Sequence, residues 1–71
     1  MPTARLLVPL LRSADDEARL EAAVRAVTGV YGVVANWRSH CLEVDFEDDM
    51  ARLNDIVKAA SSAGFDATLV G

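Results

Sequence analysis

The segment Ser13–Ala35, SADDEARLEAAVRAVTGVYGVVA, constrains the fold more than any other, because its hydrophobic period changes from 3.6 to 2 across one glycine. Leu20, Ala23, Val24 and Val27 fall at i, i+3, i+4 and i+7, which is one face of an α-helix running to about Val27. Gly29 is free to take positive φ and so ends that helix. Val30, Val33 and Ala35 then open a β-rich run expected over residues 30–38. Val33, Ala35 and Trp37 are expected to face the core, with Tyr31, Val34 and Asn36 on the other side.

The remaining elements fall on either side of this unit. Residues 4–10 (ARLLVPL) predict a strand with Leu6, Val8 and Leu10 on one face and Arg5, Leu7 and Pro9 on the other. Pro9 has no N–H for a ladder, which places it near the strand's end. Arg38, Ser39 and His40 form a polar turn before residues 41–46 (CLEVDF), where Leu42, Val44 and Phe46 alternate with Cys41, Glu43 and Asp45. Asp48 or Asp49 can cap a second helix carrying Leu53, Ile56, Val57 and Ala60 on one stripe, and Gly64 ends it. Residues 65–70 predict a last strand. The order β-α-β-β-α-β requires two helices to bury their stripes on one face of a four-stranded antiparallel sheet. This is an α+β, ferredoxin-like sandwich.

At 71 residues the chain is expected to be one domain, residues 1–71, with a single small core. Its net charge of -4 argues against nucleic acid, whose binders neutralise phosphates with a basic patch. No apolar run approaches the roughly 20 residues of a membrane span, so no membrane insertion is expected. One cysteine excludes an internal disulfide framework, and with no signal-peptide pattern a reduced, cytoplasmic setting is the expectation. One histidine and one cysteine supply no nucleophile–base pair, and there is no glycine-rich phosphate loop, so the expected role is non-enzymatic and no catalytic residue is assigned.

Two landmarks carry a resemblance. Leu20-Glu21-Ala22-Ala23-Val24 is followed by four residues and then Gly29-Val30, and Ala63-Gly64-Phe65-Asp66-Ala67 introduces the last strand. In this order and at this length the chain resembles the heavy-metal-associated domain, whose family includes small copper chaperones and the N-terminal modules of copper-transporting ATPases. The resemblance implies the ferredoxin-like fold, a metal-trafficking role and partners such as metal transporters or metal-handling proteins. In that family a G-M-x-C-x-x-C loop before the first helix supplies two thiolates for a soft ion. The corresponding positions here are Ser13 and Asp16, preceded by Leu10 and Leu11. Thiolates select Cu(I) because both are soft, whereas a hydroxyl and a carboxylate are hard donors. No metal is therefore assigned at the family's loop.

Ser13 and Asp16 have the S-x-x-D spacing of a capping box, with Asp15, Asp16 and Glu17 matched to the helix dipole. The competing reading is a hard-ion site built from the same oxygens, which would need about six to eight ligands for Ca²⁺. Cys41 and His40 are the remaining metal candidates, for Cu(I) or Zn. Cys41 would serve best if two chains of a homodimer each supplied one sulfur. His40 lies in the turn beside Cys41, and because neighbouring strand residues point to opposite faces, one ion would reach both only with difficulty.

Leu7, Tyr31 and Val34 on the outer side of the sheet, with Pro9 and Val70, are interface candidates. Asp15, Asp16 and Glu17, with Glu47, Asp48 and Asp49 at the second helix, would steer a basic protein partner. Three functions stay open: a nonstandard, metal-independent docking domain; Cu(I) or Zn binding through Cys41; and a small-molecule-sensing domain of ACT type, which shares the order of elements.

Overall fold

The structure, a computed structural model, describes residues 3–47 and 50–70, with side chains throughout except at residues 50–52. Six elements follow in the expected order: β1 (Thr3–Leu7), α1 (Ala14–Arg25), β2 (Val30–Asn36), β3 (Cys41–Phe46), α2 (Met50–Ser62) and β4 (Thr68–Leu69). The four strands form one antiparallel sheet in the order β2-β3-β1-β4, with both helices on one face. This is the ferredoxin-like fold.

The core lies between sheet and helices. Leu6 and Val8 meet Leu42 and Val44 from the strands and Leu20, Val24, Ile56 and Ala60 from the helices, all fully buried. The stripe expected on α1 supplies Leu20 and Val24 to this core, while Val27 packs half-buried against it. Trp37 faces the core as expected and is likewise half-buried, with Arg38 stacked 5.4 Å from its ring.

Element ends depart from the periodic reading where local hydrogen bonds intervene. β1 stops at Leu7, because the Leu11 N–H donates to the Val8 carbonyl at 3.0 Å and turns the chain around Pro9. This turn shifts the alternation by one. Leu10, expected inside, is 40% exposed, and Leu11 is fully buried in its place. α1 ends at Arg25 rather than Val27, closing on a tight bond from the Val27 N–H to the Val24 carbonyl. β2 ends at Asn36 because residues 37–40 form the hairpin turn, with His40 at φ 55°.

The last strand is two residues rather than six. Its shortness follows from how α2 ends. The Phe65 N–H returns to the Ala60 carbonyl at 2.9 Å and the Gly64 N–H to Ser61 at 3.0 Å, with Gly64 at φ 94°. This is a Schellman closure, and its hydrophobic contact joins two core residues, Phe65 and Ala60. Phe65 is thereby spent on the core before the strand begins. Asp48 and Asp49, expected to cap α2, lie outside the described residues.

Candidate functional site

Strand register gathers three connections at one end of the sheet. Leu7 pairs with both Cys41 and Thr68, so the β1–α1 loop (residues 8–13), the β2–β3 turn (37–40) and the α2–β4 connection (63–67) are neighbours. The Val8 N–H donates to the His40 carbonyl at 2.7 Å. The His40 ring returns the tie, its Nδ1 lying 2.8 Å from the Leu11 carbonyl. A carbonyl only accepts, so Nδ1 carries the proton.

Ser13 and Asp16 form the helix cap that their spacing predicts. Ser13 has extended backbone, and its Oγ accepts the Asp16 N–H at 3.1 Å. Asp16 Oδ2 accepts the N–H of Arg12 at 3.0 Å, one residue earlier than the reciprocal partner of a standard capping box. Its other oxygen, Oδ1, lies 3.5 Å from the Arg19 guanidinium. Arg19 in turn donates to the Ala63 carbonyl at 3.2 Å and sits 5.3 Å from the centre of the Phe65 ring. Asp16 is therefore the hub of a polar chain from the β1–α1 loop to the α2–β4 connection.

This donor set does not fit a soft ion. The Ser13 oxygen and both Asp16 oxygens are hard, and each already holds a partner within the protein. Nor do the acids of the first turn converge on one point. Asp15 is exposed, while Glu17 turns inward and accepts the Trp37 N–H at 2.8 Å. Among the described residues no three His, Cys, Asp or Glu side chains group as metal ligands.

Cys41 and His40 diverge. The half-buried Cys41 lies between Leu7 and Asn36 in the sheet register, and its thiol donates to the Ser39 carbonyl at 3.3 Å. The His40 ring points to Leu11 in the neighbouring loop.

The outer face of the sheet is exposed, and its apolar residues are divided by polar ones. Val34, 64% exposed, and Leu7, 42% exposed, stand in different cross-strand rows. In the row of Val34, Glu43 pairs with Arg5 at 2.8 Å, and Val70 bonds to the Arg5 backbone beyond. Tyr31 occupies a β-bulge between Val30 and Gly32, and its exposed hydroxyl donates to Glu47 at 3.0 Å. A Cβ on Gly32 would come within 3.2 Å of an Asp45 side-chain oxygen, a tight contact that Asp45 would have to shift to relieve.

Sequence reasoning missed what Glu17, Glu21, Arg25 and Arg19 do, because the backbone groups they bind lie in other parts of the chain. The available signal was the i, i+4, i+8 spacing of Glu17, Glu21 and Arg25 on one helical line.

Comparison with solved structures places this architecture among domains of the heavy-metal-associated type. The chain matches a copper binding domain from HMA7, a P-type ATPase, with a TM-score of 0.91 at 24% identity, over 100% of this chain and 96% of that one. It matches oxidized MerP from Ralstonia metallidurans CH34 with a TM-score of 0.88 at 24% identity, over 99% and 97% of the two chains. The N-terminal domain of ZntA in its Zn(II) form matches with a TM-score of 0.84 at 24% identity, over 94% and 89%. No family model matches the sequence, and no curated protein does. The chain thus resembles the heavy-metal-associated domains in fold from end to end. No helix among the described residues is long and apolar enough to cross a membrane.

Proposed function

We propose that this chain is a non-enzymatic binding module, one domain of heavy-metal-associated type over residues 1–71, that works by docking a protein rather than by carrying a metal ion in its loop. The observation that carries this reading is the occupation of Ser13 and Asp16. At the positions where the family places two thiolates, one oxygen caps a helix and the other two bind Arg12 and Arg19. In effect, the carboxylate takes over the organisation of the loop.

The docking role rests on charge and exposure. The net charge of -4 favours a basic partner, such as a segment of a metal transporter or another metal-handling protein in the cytoplasm. Asp15 stays exposed to steer it, whereas Asp16 and Glu17 are tied up within the fold. Leu7, Val34 and Tyr31 supply exposed contact surface on the sheet side.

Native mass spectrometry of the reduced protein, alone and with stoichiometric Cu(I) or Zn(II), tests this reading. The expected result is a folded chain that retains neither ion. Retention of one ion per chain overturns the reading. One ion per two chains, lost in Cys41→Ala, overturns it in favour of a thiolate pair shared across a homodimer.

A further inference from the structure

A sheet of this order has two open edges, β2 and β4. An open edge presents unpaired N–H and C=O groups on which another chain can pair. β4 is two residues long and offers little template. β2 is seven residues, VYGVVAN, rich in β-branched side chains, and Val34 on it is 64% exposed. Such a strand is a hazard for self-pairing unless its edge is covered.

Helix α1 covers it with three side chains. Glu17 Oε2 accepts the Trp37 N–H at 2.8 Å, Glu21 Oε2 accepts the Ala35 N–H at 3.3 Å, and Arg25 donates to the Val33 carbonyl at 3.5 Å. Glu21 Oε1 and Arg25 also pair at 3.4 Å, which joins the acceptor to the donor. Residues 33, 35 and 37 share one parity. In an antiparallel ladder alternate residues direct their backbone groups to opposite sides, so these three face away from β3.

The match is geometric. Four residues of helix rise about 6 Å, and two residues of strand advance about 6.7 Å. The steps 17, 21, 25 on the helix therefore track the steps 37, 35, 33 on the antiparallel strand, drifting by under about 1 Å per step. The three bonds measure 2.8, 3.3 and 3.5 Å in that order.

We infer that Glu17, Glu21 and Arg25 form an edge seal: they occupy the Val33 carbonyl and the Ala35 N–H on the outward edge of β2 and the Trp37 N–H just beyond its end, and so keep a second copy of this chain from adding a strand there.

Amide hydrogen exchange by NMR and analytical ultracentrifugation test this on two double variants of equal net charge. E17A/E21A removes both acceptors, whereas E17Q/E21Q keeps a carbonyl oxygen on each side chain. In E17A/E21A, at concentrations low enough to keep it monomeric, the Ala35 and Trp37 amides are expected to exchange about tenfold faster, a hydrogen bond to a charged group being lost at each. The Val34 and Asn36 amides, directed at β3, stay as in wild type, and the variant self-associates with rising concentration. E17Q/E21Q stays monomeric with its amides protected. Unchanged exchange at Ala35 and Trp37 in E17A/E21A overturns the inference, as does a wild-type dimer paired through β2. If E17A/E21A fails to fold, the single variants decide: E17A must expose the Trp37 amide and E21A the Ala35 amide, and failure of either overturns it.

Discussion

Replacing Asp16 with alanine removes the hub of the β1–α1 loop, and each part of the cost can be worked from a contact. The bond that Asp16 accepts from the Arg12 N–H at 3.0 Å contributes about 1 kcal/mol net. A carboxylate in the first helical turn adds about 0.3–1 kcal/mol through the helix dipole. The pair with Arg19 spans 3.5 Å, with the arginine side chain 63% exposed, and adds only about 0.3 kcal/mol. The sum is about 2 kcal/mol. In a domain of 71 residues this lowers Tm by about 8–16 °C. Asp15→Ala is the matched control. It removes the same charge from the same helical turn and costs about 0.5 kcal/mol through the dipole alone. Thermal and urea unfolding followed by circular dichroism would measure both variants. If Asp16→Ala melts with Asp15→Ala, Asp16 does not organise the loop, and the observation on which the proposed docking role rests fails.

Three further outcomes follow from packing and backbone geometry. Leu20→Ala empties a fully buried site between α1 and the sheet and should cost about 3 kcal/mol in urea unfolding, a large part of the stability of so small a domain; a loss below about 1 kcal/mol would contradict the packing. Gly64→Ala puts a Cβ into open space but keeps φ at 94°, so its cost of about 1–2 kcal/mol is conformational and Gly64→Asn should recover part of it in the same melts. Arg5→Ala breaks an ion pair whose side chains are 61% and 46% exposed, and its midpoint should stay within about 0.5 kcal/mol of wild type.

The order of elements was legible because each carries its own period. Leu20, Val24, Ile56 and Ala60 announce helical faces, and Leu42, Val44 and Phe46 announce a strand with one buried side. The ends were less legible. Whether Leu10 or Leu11 enters the core depends on the Leu11–Val8 turn, and β4 is short because the Schellman closure draws Phe65 into the core; each depends on backbone bonds that hydrophobic period does not encode. At the site, the S-x-x-D spacing predicts the bond from the Asp16 N–H to Ser13, a local contact. It does not predict that Asp16 holds Arg12, nor that Glu17 reaches twenty residues on to the Trp37 amide. Those bonds exist only once α1 lies beside the edge of β2, and placement of one element on another is long-range information.

The central claim is that the loop of a heavy-metal-associated scaffold here serves as a helix cap instead of a soft-ion site. Competition for Cu(I) against a chromophoric chelator under reducing conditions, run on wild type beside S13C/D16C, tests it most directly. The account predicts that wild type leaves Cu(I) with the chelator, while the variant, with two thiolates placed at the loop positions and its fold checked by circular dichroism, withdraws one Cu(I) per chain. Withdrawal of Cu(I) by wild type, or none by the folded variant, would contradict it.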